Sequence, residues 1–356
     1  MRAAIRARLE IDAVGTGFGS LASGADILFA EELLGRGARL EAVLPFDRDE
    51  FVEISVRPAG PAWVERFEAC LRQADSVHYA TTDRYLNDQG LFAYCSRLAM
   101  GMAVLRARHL GVTVAQVAVW DGRSVAGQLA GTEADMNVWR DAGLPVSVIT
   151  CASEEAQGHS SLNLKLSTRS SPRSLDRIPR AMLFGDLKGF GKLTEAQIAR
   201  VLEHVLTPLG HVMRGYDTEI AFVNTWGDGL FGVFEDPRSA AHCALDLQRA
   251  MVEIDLLALG LPSALALRIG GHYGPVYVAE DPILRRPNVF GTHVTRAARI
   301  EPITPEGSVY VTLPFAAALA LAGLEKFACA YVGMTEGAKG IGSMPMFLLS
   351  RARERC

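Results

Sequence analysis

Short apolar runs alternate with longer amphipathic stretches along the first half of the chain. Residues 89–109 carry apolar side chains at helical spacing, whereas 38–45, 112–120 and 145–150 are apolar runs of strand length. Helical patterns also fall between these runs, so predicted strands and helices alternate along the chain. This alternation is typical of an α/β domain with a parallel sheet. We therefore predict a Rossmann-like α/β domain over residues 1–152.

A Gly/Ser-rich stretch, residues 14–24, precedes the first long helix of this domain, and no strand pattern is visible before that helix. A glycine-rich turn lets backbone amides approach a ligand at a helix N-terminus, where the helix dipole favours a phosphate. Gly19, Ser20, Gly24 and Asp26 are thus candidate ligand-binding residues. The same kind of turn also occurs in doubly wound sheets without binding anything at that point.

The segment from Gly19 to Asp26 (Gly-Ser-Leu-Ala-Ser-Gly-Ala-Asp), followed by Ala42-Val-Leu-Pro45, resembles the SLOG superfamily of Rossmann-like nucleotide-binding domains. The resemblance implies that residues 1–152 form a ligand-sensing domain for a small nucleotide-like molecule.

A change in composition separates this region from the rest of the chain. Residues 153–178 are polar and Ser-rich and contain Pro172, which is typical of a linker. Residues 179–353 then follow a strand-helix-strand-strand-helix-strand order, the βαββαβ order of a ferredoxin-like α+β fold. The elements predicted here are strand 181–186, helix 194–214, strands 219–226 and 229–234, helix 237–257, strand 265–273, helix 290–300, strand 308–312 and helix 314–322.

Composition narrows the class of protein further. The chain has 356 residues, of which 49% are hydrophobic, and a net charge of −4, so no global basic surface predicts nucleic-acid binding. No signal segment and no run of eighteen apolar residues is visible, so we expect a cytoplasmic protein without membrane spans. The six cysteines are scattered, without zinc-binding spacing, and we expect reduced thiols.

Two aspartates carry the candidate chemistry of the second domain. Asp186 and Asp228 each follow a short apolar strand and lie beside a glycine. Either residue alone is most simply a turn former. As a pair, however, they offer two carboxylates for Mg²⁺, and Gly189-Phe190-Gly offers backbone N–H groups to phosphates. Together these features predict a site for a nucleoside triphosphate.

Four sequence blocks around these residues carry a resemblance. Phe184–Phe190, Trp226–Phe231, Leu267–Gly274 and Phe290–Glu301 resemble, in order and spacing, the signature blocks of the class III nucleotidyl (adenylate/guanylate) cyclase catalytic domain, over about residues 178–350. This resemblance implies conversion of a nucleoside triphosphate to a 3′,5′-cyclic nucleotide with two Mg²⁺ or Mn²⁺ ions per site. It also implies a homodimer, because family members build each site from two subunits.

The resemblance implies roles for individual residues. Asp186 and Asp228 would bind the metal ions, and Arg299 would stabilise charge on the α-phosphate. The implied substrate contacts are Leu187 (through its carbonyl oxygen), Gly189, Phe190, Arg268 and Lys339. His272, in the third block, is expected to be structural.

Three positions depart from the family pattern. Asn224 and Asn288 stand at the two base-reading positions, and Thr295 replaces the asparagine that acts in the transition state. Asparagine both donates and accepts hydrogen bonds, so adenine, guanine and pyrimidines all remain possible bases. A catalytically weak or inactive nucleotide-binding module is the alternative function, and an enzymatic N-terminal domain is a third hypothesis.

Overall fold

The computed structural model describes residues 1–123, 130–151, 177–323, 325–338 and 342–352. The chain divides into two compact units, Met1–Asp176 and Arg177–Cys356. The predicted linker 153–178 lies outside the described residues, apart from residues 177 and 178, which begin a strand.

The first unit is built from parallel strands joined by helices. Three strands pair in the order β1-β2-β3, and two further strands pair as β4-β5, all in parallel. In chain order the elements are α1 (Arg2–Ile11), β1 (Thr16–Gly19), α2 (Ala25–Gly35), β2 (Arg39–Leu44), α3 (Arg48–Phe51), α4 (Pro61–Gln73), β3 (Ser76–Tyr79), α5 (Gly90–Leu110), β4 (Gln116–Trp120), α6 (Thr132–Asp141) and β5 (Val146–Thr150).

The first strand corrects a prediction. We expected no strand before α2, but Thr16–Gly19 forms β1 and pairs with β2 from Thr16 opposite Arg39 onward. Glycine has low strand propensity, so the stretch Thr16–Gly19, with two glycines in four residues, shows no strand pattern in the sequence. Packing explains Gly17, because a Cβ there would lie 2.7 Å from Leu33 Cδ2 of α2. The helix therefore lies directly on the strand.

The second unit is a mixed sheet with helices packed against it: β11 and β9 pair in parallel, and the other described pairs are antiparallel. Its described strands follow the order β12-β13-β11-β9-β6-β8-β7, and β10 pairs with β9. In chain order the elements are β6 (Arg177–Lys188), α7 (Glu195–Val201), α8 (Thr207–Arg214), β7 (Ile220–Trp226), β8 (Gly229–Phe234), α9 (Pro237–Val252), β9 (Ala266–Asp281), β10 (Arg286–Phe290), α10 (Thr292–Ala297), β11 (Val309–Thr312), α11 (Leu313–Ala322), β12 (Phe327–Glu336) and β13 (Ser343–Arg351).

The βαββαβ order predicted for this unit is present. Strand β6 is followed by α7 and α8, then by the β7-β8 hairpin, α9 and β9, and the four strands lie side by side as β9-β6-β8-β7 with antiparallel neighbours. Helix starts follow local sequence signals: Thr194 and Gln197 form a capping box, and Asp236 accepts a hydrogen bond from the Ser239 N–H.

Two predicted helices differ from the structure. The stretch 290–300 is a helix only over Thr292–Ala297, because residues up to Phe290 belong to β10 and Gly291, with a φ of +135°, separates strand from helix. The predicted helix 194–214 is interrupted by a π-helical turn over Leu202–Leu206. Of the helices in the described parts of the chain, none has the length and apolar character that crossing a membrane requires.

Candidate active site

The sheet brings the two predicted aspartates together. Asp186 lies near the end of β6, and Asp228 lies in the two-residue loop that joins β7 to β8. Because β6 and β8 are antiparallel neighbours, with Gly185 opposite Leu230, the loop before β8 reaches the end of β6. Gly227 takes the left-handed conformation, with a φ of +67°, that this tight loop requires.

The two carboxyl groups interact. Partial burial raises the pKa of Asp228, and the neighbouring Asp186 carboxylate raises it further, whereas the Leu187 N–H donates to the Asp228 carboxylate and lowers it. Two acidic groups in this relation repel each other when both are ionised. Such a pair is stabilised by a cation placed next to both.

An arginine supplies positive charge next to the Asp186 carboxylate. Arg268 lies opposite Asp186 on β9, and its Nη2 is 2.7 Å from Asp186 Oδ2 and 2.7 Å from Glu301 Oε1. Burial raises the pKa of Glu301 to about 7 although Arg268 opposes this. The Arg268 Nε is buried and makes no hydrogen bond with the residues that the structure describes. One donor of the guanidinium is therefore available to an anion.

The donor set fits a divalent cation held jointly with a substrate. Within the described ranges, no three His, Cys, Asp or Glu side chains converge as a complete metal site. Two carboxylates do converge, and Mg²⁺ is commonly bound by one or two carboxylates plus substrate phosphates. Asp186 and Asp228 could hold the ions, and the unpaired donor of Arg268 matches the phosphates that would complete the coordination.

The predicted phosphate-contact residues follow Asp186 directly. Leu187 is buried and pairs with Leu267 of β9, and Gly189 has a φ of +97°, which turns the chain out of β6 into the 3₁₀ turn Phe190–Lys192. The backbone of Gly189 and Phe190 therefore leaves the sheet three to four residues beyond Asp186. Lys339 lies outside the described residues.

The two predicted base-reading asparagines lie on different strands, and each has a partner. Asn224 of β7 accepts a hydrogen bond at its Oδ1 from Arg286 Nη2 at 3.2 Å. Asn288 of β10 donates from its Nδ2 to Asp281 Oδ2 at 2.7 Å, and its Oδ1 accepts the Val289 N–H at 2.8 Å. Arg286 and Asp281 were missed by sequence reasoning.

A cavity of about 250 Å³ adjoins Asn288. It lies between strand β7 and the β9-β10 hairpin, with Phe222 and Val289 in its walls. This volume is below the ~300–1,000 Å³ of pockets that enclose a whole small molecule. The remaining lining residues are Arg180, Ala221, Val233, Glu235, Val278, Pro287 and Asn288.

The fourth block places Thr295 and Arg299 around the end of α10. Thr295 lies in the helix, whereas Arg299 follows it, although the helix predicted over 290–300 would have included both. Neither side chain makes a hydrogen bond or ion pair with the described parts of the chain. His272 is fully buried between Thr312 Oγ1 and His293 Nδ1, each 2.8 Å away, as expected of a structural histidine.

The N-terminal candidates form a self-contained loop. Ser20 Oγ donates to Asp26 Oδ2 at 2.6 Å, and the Ala22 N–H donates to the same oxygen at 3.3 Å. Gly24, with a φ of +104°, is the N-cap of α2, and Gly19 ends β1. Burial raises the pKa of Asp26. The Asp26 carboxylate thus holds the loop in place, which accounts for its residue type without a ligand.

Known proteins resemble the second unit. Residues 175–351 match the family model described as "Adenylate and Guanylate cyclase catalytic domain". A curated adenylate cyclase from Streptomyces griseus is 32% identical over 146 residues, which are 40% of this chain and 33% of that protein. The chain thus spans about a third of the length of this relative.

Solved structures of cyclases also resemble it. The adenylyl cyclase CyaB from P. aeruginosa is 16% identical with a TM-score of 0.45, over 50% of this chain and 97% of that one. The guanylate cyclase domain of RhGC from Catenaria anguillulae is 19% identical with a TM-score of 0.42, over 49% of this chain and 97% of that one. On the match of the family model, this chain belongs, through residues 175–351, to the adenylate and guanylate cyclase catalytic domain family.

Proposed function

We propose that the second unit converts a nucleoside triphosphate to a 3′,5′-cyclic nucleotide and pyrophosphate. The pairing of Asp186 with Asp228 at the ends of neighbouring strands, beside the cation Arg268, is the observation that supports this activity best. The name of the Streptomyces griseus relative, an adenylate cyclase, agrees with it.

Each residue has a role that follows from its chemistry. Two divalent ions bound by Asp186 and Asp228 would lower the pKa of the ribose 3′-hydroxyl and neutralise charge on the phosphates. Arg268, which pairs with Asp186 and Glu301, would supply positive charge to the phosphates of the departing pyrophosphate. The backbone N–H groups of Gly189 and Phe190 orient the phosphate chain, so that the 3′-hydroxyl and the α-phosphorus are held in line.

We propose a homodimer as the active form. Arg299 and Thr295 lack partners among the described residues of their own chain, which suits groups that contact a substrate held by the other subunit. Large apolar side chains are also exposed near the base-reading positions: Trp226 on β7 is 54% exposed, and Ile283, in the turn between β9 and β10, is 87% exposed. Contact with a second subunit would bury them.

For the first unit we propose a Rossmann-like sensor of a small nucleotide-like molecule. The support is its parallel strand pairs and the loop that carries Gly19, Ser20, Gly24 and Asp26 at the end of β1. Equilibrium binding of nucleotides to the full-length Asp186→Asn variant would test this, since binding at the second unit then lacks a metal ligand.

Turnover is tested by incubating the purified full-length chain with Mn²⁺ or Mg²⁺ and, separately, ATP, GTP, CTP and UTP. Products are resolved by mass. We expect one nucleotide to yield a cyclic monophosphate and pyrophosphate, and Asp186→Asn to abolish both products.

Asp217→Asn is the matched control, because Asp217 lies outside this site, in the turn before β7, and should leave turnover unchanged. Absence of product from all four nucleotides, with a dimer verified by its mass in solution, would refute the proposed activity. The inactive nucleotide-binding module would then be the better description.

A further inference from the structure

An arginine on the β9-β10 hairpin lies against the first base-reading position. Arg286 Nη2 donates to Asn224 Oδ1 at 3.2 Å, so β10 and β7 are joined across the hairpin. Arg286 and Asn288 stand two positions apart on β10, and alternate residues of a strand point to the same face. The side chains of Arg286, Asn224 and Asn288 therefore belong to one surface.

The partner of Asn224 fixes the direction of its amide. A guanidinium only donates hydrogen bonds, so the Asn224 oxygen must face Arg286 and its NH₂ group must face away. Arg286 makes no second hydrogen bond with the described ranges of the chain, which leaves most of its N–H groups available. Asn224 and Arg286 together present donors.

Asn288 is fixed in the same way by the hairpin. Hydrogen bonds from Leu284, Asn288 and Ile283 lower the pKa of Asp281, which therefore stays ionised and only accepts. The NH₂ group of Asn288 must then face Asp281, and its oxygen already accepts the Val289 N–H. Asn288 is thus mainly a structural part of the hairpin, and it contributes less to base reading than its position in the family pattern suggests.

We propose that Arg286, with the amide of Asn224, makes the enzyme specific for a 6-oxopurine nucleotide, that is, for guanine over adenine. This assignment rests on the proposed cyclase function. Guanine presents two adjacent acceptors, O6 and N7, which match the fork of an arginine. Adenine presents an amino group in place of O6, and that donor meets the donors of Arg286 and Asn224 unfavourably.

The test compares nucleotides that differ by single atoms. ITP retains O6 and N7 but lacks the 2-amino group of GTP, whereas 7-deaza-GTP lacks N7. We expect kcat/KM for ITP to lie within about threefold of GTP, and 7-deaza-GTP and ATP to be poorer by about 5- to 150-fold, the discrimination that one bidentate arginine–guanine contact provides. A preference for ATP or a pyrimidine nucleotide, or rejection of ITP relative to GTP, would overturn the assignment.

Substitution of Arg286 tests whether this side chain carries the preference for GTP over ATP. Arg286→Gln should remove most of the GTP-over-ATP ratio of kcat/KM. The control is Arg285→Asn: Arg285 is the preceding exposed arginine, and its φ of +52° is one that asparagine tolerates. This control should keep the wild-type ratio. An unchanged ratio in Arg286→Gln would contradict the proposal even if GTP is the substrate.

A binding experiment separates this assignment from the cyclase activity itself. Dissociation constants of the α,β-methylene analogues of GTP and ATP are measured with Mn²⁺ on the wild-type chain and on Arg286→Gln. A guanine preference that Arg286→Gln removes would support the base assignment even if no cyclic product forms. Equal dissociation constants for the two analogues would overturn it whether or not the protein turns nucleotides over.

Discussion

A single added methyl group at Gly270 tests how closely strand β9 approaches the backbone of Ile300 and Glu301. Gly270 lies on β9, two residues after Arg268, and a Cβ there would lie 2.5 Å from the Glu301 backbone N and 2.9 Å from the Ile300 carbonyl carbon. Both atoms belong to the backbone, and Ile300 is fully buried, so neither moves without disturbing the core. We expect Gly270→Ala to lower the free energy of unfolding of the second unit by about 1–3 kcal/mol.

For a unit of this size, that loss corresponds to a melting temperature about 2–12 °C lower. Gly185→Ala is the matched control, since a Cβ at Gly185, on the adjacent strand, would have its nearest neighbour at 3.6 Å, an ordinary contact. Calorimetry and urea denaturation of the full-length chain give the two differences. The reasoning about the close approach of β9 to Glu301 would be refuted if Gly270→Ala were as stable as Gly185→Ala.

Further predictions concern charge and buried polar groups. Asp228→Asn should abolish turnover yet raise stability at pH 7 by less than about 1 kcal/mol, because it removes a charge whose burial, followed by repulsion from Asp186, raises the pKa of Asp228. Thermal unfolding without divalent ions measures this, and a stability loss would contradict it. Burial, followed by the proximity of His293, holds the pKa of His272 well below its usual value. The unfolded chain therefore binds a proton that the folded chain does not, and stability should fall as the pH drops below about 6.5, by up to about 1.4 kcal/mol per pH unit. Urea denaturation at pH 7.5, 6.5 and 5.5 measures the slope, and a slope that persists undiminished in His272→Gln would exclude His272 as its source. In the first unit, Asp26→Ala removes the acceptor of two hydrogen bonds and should cost about 1–3 kcal/mol; an Asp26→Ala chain with wild-type stability in denaturation would show that Asp26 does not hold the loop.

The aspartate pair could be predicted because its signal is local. Asp186 and Asp228 each end an apolar strand beside glycine, and the βαββαβ order then places the two strand ends side by side. The helix caps at Thr194 and Asp236 are local for the same reason, since capping depends on residues within one turn.

Features that depend on contacts between distant strands could not be predicted from the sequence. The bond from Arg286 to Asn224 spans 62 residues, and the contact of Arg268 with Glu301 joins β9 to the turn after α10. Strand β1 could not be predicted because two of its four residues are glycines, one of which, Gly17, is required by the close packing of α2. One usable signal was present: Arg286 stands two positions before Asn288, and alternate positions on a strand share a face.

In the hairpin from Asp281 to Phe290, Asp281 accepts hydrogen bonds from Ile283, Leu284 and Asn288, and Arg286 links the hairpin to Asn224 of β7. The carboxylates of Asp186 and Asp228 lie on other elements. Under the proposed function, base preference and phosphate chemistry would therefore depend on different elements of the molecule. If the hairpin selects the base as proposed, exchange of these ten residues would change which nucleotide is converted while leaving the reaction itself intact.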